Sequence, residues 1–192
     1  MLIGLVGKAM AGKSVTASYL EQCHEFREVA FADPMRAGLK AMLMLEDRNF
    51  DPESKETPIE WIGQSPRQLL QSLGTEWGRN LVNRRLWVLA MAHKLRPILH
   101  VGHDVVISDV RFMDEAELVH RLGGQLWRIV RPGAETTSHV DHTSEQEQAR
   151  LVADVTLINN GTEEQLYEAI DEALCAWINR GGDLEVSHPV AA

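Results

Sequence analysis

The chain has 192 residues, with 19 Lys and Arg against 28 Asp and Glu, for a formal net charge of −9. That balance argues against a protein that binds nucleic-acid polymers, which carries a basic surface, while the length fits one domain with a sizeable core. Cys23 and Cys175 are too few and too far apart for a disulfide scaffold, and no apolar run reaches the length of a membrane span or a signal peptide, so the chain reads as a cytoplasmic globular protein.

Leu2 to Val6 is a short apolar run that reads as a buried strand. It leads into Gly7-Lys8-Ala9-Met10-Ala11-Gly12-Lys13-Ser14, which fits the phosphate-loop pattern G-x-x-x-x-G-K-[ST]. Val15 to Cys23 is helical in character, so the order is strand, glycine loop, helix, the context that pattern requires. Gly7 and Gly12 allow a tight turn and a close approach to an anion. Successive N–H groups then point inward, and the following helix adds the positive end of its dipole. The phosphate site takes in Gly7, Lys8, Ala9, Met10, Ala11, Gly12, Lys13, Ser14 and Val15. Lys13 reaches for the outer phosphates, the Ser14 hydroxyl for Mg2+, and the Lys8 side chain for solvent.

The first helix is expected over about Lys13 to Cys23, and a second short strand over Glu28 to Ala32. Asp33-Pro34 looks like a helix start, with Asp33 as N-cap, and that helix is expected to run to about Leu45. Glu46 to Ser65 is polar and reads as a loop or insert. Another helix starts near Ser65-Pro66 and runs towards Arg79, and a further one spans about Arg85 to Leu99. Asp104 to Ser108 is a strand buried on both faces, Asp114 to Leu122 a helix closed by Gly123-Gly124, and Gln125 to Val130 a strand. Gly133 to Glu147 is polar and irregular. Ala153 to Ile158 is the last strand. Thr162 to Asn179 is the last helix, opened by the capping-box pattern T-E-E-Q, and the tail after Gly181 reads as loose. Strands alternating with helices give a doubly wound α/β sheet, whose ligands lie at the carboxyl ends of the strands.

Asp109 follows Val105-Val106-Ile107-Ser108, where a phosphate-loop protein places an acid that helps to hold Mg2+. The next residue is Val110 rather than a second carboxylate that would activate water, which points to transfer onto a bound acceptor. Arg36, Arg79, Arg111, Arg128 and Arg131 fall near strand ends or in the segments that face them. Planar, always-charged donors suit an acceptor that is itself a phosphate ester, and suit charge developing on the transferred group. A phosphate acceptor is already ionised near neutral pH, so no catalytic histidine is required. His139-Val140-Asp141-His142 offers too little for a metal site.

The segments GKAMAGKS at 7–14, FADPMR at 31–36, LLQSLGTEWGR at 69–79, SDVRFMDEAE at 108–117, GGQLWRIVRPG at 123–133 and HTSE at 142–145, in that order, resemble the phage-type deoxynucleoside monophosphate kinases. The resemblance implies a three-layer P-loop fold of the nucleoside monophosphate kinase type, with a five-stranded parallel sheet, a helical acceptor-binding insert at about 34–100 and a short lid at about 131–148. It implies ATP as donor, Mg2+, a deoxynucleoside monophosphate as acceptor, and a host-cytoplasm setting. On this resemblance Asp33 and Arg36 lie on the acceptor side, and Gln71, Trp77 and Arg79 line the deoxynucleotide pocket. Asp109 and Arg111 face the reacting phosphates and Arg131 opens the lid, with Lys13, Arg128 and Arg131 as further catalytic candidates, Arg111 also on the acceptor, and Ser14 and Asp109 on the metal. Asn159 and Asn160 lie where relatives place the donor base, and His142 to Glu145 belong to the lid. Many relatives carry Asp at the position of Ser14, and Pro-Asn in place of Met113-Asp114.

Counter-readings exist. Trp77 would be core if Leu70, Leu73, Trp77 and Leu81 form a helical stripe. The rival functions are a kinase for another small phosphorylated metabolite, phosphomevalonate-like, and a nucleotide-binding module without turnover. A GTP switch would carry an N-K-x-D motif, and none is present. Base preference and oligomeric state, a homodimer included, are not legible.

Overall fold

The computed structural model describes residues 1–133 and 143–180. The His139–His142 segment, most of the expected lid and the tail therefore lie outside the described residues. The chain divides into two compact units, one formed by Met1–Ala30 with Leu95–Ala192 and the other by Phe31–Lys94.

The first unit holds a five-stranded sheet of β1 (Leu2–Val6), β2 (Arg27–Val29), β3 (Val105–Ile107), β4 (Gln125–Val130) and β5 (Val155–Ile158), in the order β2-β3-β1-β4-β5. Every pairing is parallel. β1 lies at the centre and is buried along its whole length, as a strand covered on both faces must be. Ile3 and Leu5 join Leu20, Phe26, Trp127 and Ile129 in a core capped by α1 (Lys13–His24) and α7 (Glu163–Asn179), to which Leu166, Ile170 and Trp177 belong. On the opposite face, a Cβ at Gly4 would sit 3.1 Å from both Val110 and Val119, so glycine there lets α5 (Met113–Arg121) and the turn before it press against the sheet. The strand order turns about β1, so the carboxyl ends of β1, β3 and β4 bound the crevice where ligands of such sheets bind.

Several boundaries differ from the expectation. β2 ends at Val29 rather than Ala32, because β3, with which it pairs, is three residues long and Ser108 N–H closes the ladder on Val29 O at 3.1 Å. The segment expected to be irregular up to Glu147 holds α6 (Thr143–Arg150). The T-E-E-Q box forms as read, with Thr162 capping α7 and Gln165 reaching back to its N–H.

The second unit holds α2 (Asp33–Leu43), a 3-10 turn (Asp47–Phe50) within the expected loop, α3 (Pro66–Gln71) and a π-helical stretch (Ser72–Val82). It also holds the start of α4 (Leu86–His100). Asp33 is not the N-cap of α2. The chain is already helical at Ala32 (φ −75°, ψ −14°), and the Asp33 carboxylate accepts from Lys94 Nζ at 2.8 Å. Ser65 and Gln68 form a capping box that starts α3. The expected single helix to Arg79 widens at Ser72, where the Trp87 indole N–H takes the Gly74 carbonyl at 2.7 Å, an insertion of the kind that opens a helical ladder. The Leu70–Leu81 stripe consequently fails: Trp77 is 46% exposed and Leu81 76%.

Truncation of Ile170, fully buried against α1 and the sheet, is expected to cost about 2–5 kcal/mol. Urea unfolding of Ile170→Ala measures it, and an unchanged midpoint would remove α7 from the core.

Candidate functional site

The loop between β1 and α1 is shaped by contacts with the two strands on the far side of the sheet. Gly7 (φ 153°) passes so close to β4 that a Cβ would lie 2.5 Å from Ile129 O. Gly12 (φ 111°) passes so close to Asn159 that a Cβ would lie 2.5 Å from its Nδ2. Asn159 in turn donates from Nδ2 to Ala11 O at 2.9 Å, in a buried hydrogen bond, while its own N–H pairs with Val130 O at 2.7 Å. Gly12 is the N-cap of α1 and brings no side-chain cap. The helix therefore starts with amides that no side chain of the cap covers, at the positive end of its dipole, which is the arrangement that takes an anion.

Lys13 folds back over this loop, its ammonium donating to Gly7 O at 2.5 Å and Lys8 O at 2.7 Å. Ser14 and Lys8 are exposed, Met10 stands out at φ 60°, and Ala11 is buried against the core. Asn159 was expected beside a donor base. Its side-chain amide is a strut of the loop, and Asn160 beside it is exposed.

After β3, Asp109 is half-buried, Val110 fully buried and Arg111 exposed. The backbone N–H groups of Arg111 and Phe112 both donate to Glu115 Oε2, at 2.8 and 3.2 Å. Glu115 is 3% exposed. Val110 O accepts from Gln148 Nε2 at 3.0 Å. Neither Glu115 nor Gln148 was singled out from the sequence. A Glu three residues after a cap is a recognisable signal, but the cap here is Phe112, which lacks the hydroxyl that marks the pattern. Gln148 acts at a distance of 38 residues, which no local pattern can show. After β4, Arg131 is exposed, whereas the Arg128 guanidinium donates to Leu151 O at 2.6 Å and so holds the chain that follows α6.

In the Phe31–Lys94 unit, the π-helical stretch lies against α2 and Trp87. A Cβ at Gly74 would meet Met35 Sδ at 3.0 Å, and one at Gly78 would meet the Trp87 indole at 2.6 Å. Both glycines of L-G-T-E-W-G-R are thus explained by packing. The Trp77 and Trp87 rings lie 6.4 Å apart at 44°, with Trp87 buried and Trp77 exposed. Arg36 is exposed, Gln71 half-buried at the end of α3, and Arg79 donates to Arg84 O at 3.4 Å. The unit thus carries Asp33, Arg36, Gln71, Trp77 and Arg79 on elements that pack on one another. The other unit gathers Lys13, Ser14, Asp109, Arg111 and Arg131 on segments that leave the carboxyl ends of β1, β3 and β4.

The family model of deoxynucleotide monophosphate kinase matches residues 53–170. A protein of Acanthamoeba polyphaga mimivirus whose name places it in that family is 37% identical over 188 residues, covering 88% of this chain and 94% of its own length. The deoxynucleoside-5'-monophosphate kinase of Escherichia phage T5 is 31% identical over 143 residues. There the match covers 69% of this chain and 56% of the relative, so the chain spans about half the length of this phage enzyme. Among solved structures, shikimate kinase from Aquifex aeolicus aligns over 94% of this chain and 100% of its own, with a TM-score of 0.56 at 16% identity. TT1252 from Thermus thermophilus aligns over 92% of this chain and 97% of its own, at 0.51 and 19%. At such identities the likeness concerns the fold alone.

Asn159→Ala would leave Ala11 O without its buried donor, and the cost is expected to be about 1–3 kcal/mol. Calorimetric ATP titration should show weakened binding of the triphosphate as the loop loosens. Unchanged stability and affinity would mean that the loop is held elsewhere.

Proposed function

We infer the reaction from one premise: the chain belongs to the deoxynucleotide monophosphate kinase family. It is a nucleotide kinase, and it transfers the terminal phosphoryl group of ATP to a deoxynucleoside 5'-monophosphate, releasing ADP and the diphosphate. The observation that supports this most strongly is the coincidence of the family match with a phosphate nest in front of α1.

The chemistry asks little of the protein beyond positioning and charge. The acceptor phosphate is ionised near neutral pH, so its oxygen attacks without a general base. The loop amides and Lys13 hold the donor phosphates, and the ammonium exchanges its two carbonyl partners for phosphate oxygens. Arg111 and Arg131, exposed after β3 and β4, neutralise charge as it builds on the transferred group, with Arg111 also gripping the acceptor. Arg128 and Asn159 act on the protein's own backbone, and Asn160 is the residue left for the donor base. The residues fit Mg2+: an exposed hydroxyl at Ser14 in the first turn of α1, and a half-buried carboxylate at Asp109 after the neighbouring strand, are the hard oxygen donors such an ion takes. Bound there, it would offset phosphate charge.

The acceptor nucleoside belongs to the Phe31–Lys94 unit. The exposed Trp77 offers a ring for a base to stack on, and Gln71 and Arg79 offer polar groups for its edge and phosphate, with Asp33 and Arg36 at the start of α2. A base stack of this kind is worth about 1–3 kcal/mol.

Titration of dTMP, dGMP, dCMP, dAMP and their ribose counterparts with ATP tests the reading. Turnover of at least one deoxynucleotide is expected. Turnover of none of them, with a phosphorylated metabolite accepted instead, would overturn it. Lys13→Ala should lower phosphoryl transfer about 100-fold or more, read by coupled ADP release with the circular dichroism spectrum retained. Full activity of that variant would contradict the role of the loop.

A further inference from the structure

The peptide unit that joins Val110 to Arg111 is gripped at both of its polar ends by side chains from two different helices. On one side Gln148 Nε2, from α6, donates to Val110 O at 3.0 Å. On the other, Glu115 Oε2, from α5, accepts from Arg111 N–H at 2.8 Å, and from Phe112 N–H as well. A trans peptide is planar, with its N–H and C=O pointing in opposite directions. Fixing both ends therefore fixes the plane and leaves little rotation in ψ of Val110 or φ of Arg111. The Val110 side chain, fully buried, pins the same unit from a third direction. The side chain that leaves this immobilised backbone is the exposed guanidinium of Arg111.

We propose that Glu115 and Gln148 are positioning residues for Arg111, a clamp that sets where its guanidinium meets the reacting phosphates. The proposal rests on the kinase reading above. Burial makes the clamp firm: Glu115 is 3% exposed, so little water competes for its oxygens, and the carboxylate acts on two consecutive amides. Gln148 reaches across from α6, whose following residues are held at Leu151 O by Arg128. The helix that supplies the donor is thereby fixed to β4, and the two outer strands of the crevice share one frame. Both side chains act on backbone. The clamp's effect on rate passes through Arg111, and an ångström of misplacement in such a site costs about 100-fold.

The test is a double-mutant cycle in kcat/KM for the acceptor. Gln148→Met keeps the length of the side chain and removes the donor, and Arg111→Ala removes the group being positioned. The wild type, Gln148→Met, Arg111→Ala and the pair are assayed with a deoxynucleotide that the wild type phosphorylates, alongside ATP affinity and thermal midpoint. A clamp acting through Arg111 predicts a loss of about 10-fold or more from Gln148→Met in the wild-type background and almost none in the Arg111→Ala background, with ATP affinity within twofold. An equal loss in both backgrounds, or no loss in either, would overturn it. If Gln148→Met does not fold, Glu115→Gln repeats the cycle from the other end of the peptide, with the same two outcomes. Failure of the clamp is distinct from failure of the kinase reading: in the former the wild type turns over the deoxynucleotide, Arg111→Ala does so more slowly, and Gln148→Met costs the same in both backgrounds, whereas in the latter the wild type turns over none.

Discussion

The buried hydrogen bond from Asn159 Nδ2 to Ala11 O, 2.9 Å long, is the contact on which the shape of the loop between β1 and α1 depends. It joins the turn after β5 to the loop after β1, two segments that the sheet places side by side only because β4 and β5 stack on β1 in parallel register. The fit is close enough that neither Gly7 nor Gly12 has room for a Cβ. A loop built of amides repels itself electrostatically when its N–H groups converge, so something outside the loop must hold it in shape. Here that is a side-chain amide from the last strand, together with the backbone of β4 at Ile129. A nest preorganised in this way needs little rearrangement when a polyanion arrives.

The same principle recurs at the other strand ends. The turn after β3 is held by Glu115 and Gln148, and the chain beyond α6 by Arg128. In each case a polar side chain, half or fully buried, acts on backbone rather than on a partner side chain, and an exposed polar residue stands nearby: Ser14 beside the loop, Arg111 after β3, Arg131 beyond β4. The Phe31–Lys94 unit uses apolar means to the same end. The Trp87 indole fills the space left by Gly78 and captures the Gly74 carbonyl, and Trp77 on the widened helix stays exposed.

Much of this was legible in the sequence, for reasons that are local. The strand–loop–helix order around Gly7 to Ser14, the five apolar runs and the Thr162–Gln165 box each depend on neighbours a few residues apart, and the resemblance carried by FADPMR, LLQSLGTEWGR and SDVRF led to the family that the comparisons support. What escaped depends on long-range contact. The π-helical stretch owes its width to Trp87, 13 residues from Gly74, and no periodicity forecasts it. Asn159 was noticed for its place after a strand, but its work on Ala11 spans 148 residues. Arg128 has the charge of a catalytic residue, and only its hydrogen bond to Leu151 O, 23 residues along the chain, shows that it is turned to the backbone. β2 came out three residues shorter at its end because the length of a strand is set by its partner.

Amide chemical shifts recorded while ATP and Mg2+ are added to the 15N-labelled protein test the central claim most directly. The account predicts that the largest changes fall on Gly7 to Val15 and on the side-chain amide of Asn159, saturating together at one equivalent. Shifts confined to other segments, with those resonances unmoved, would contradict it.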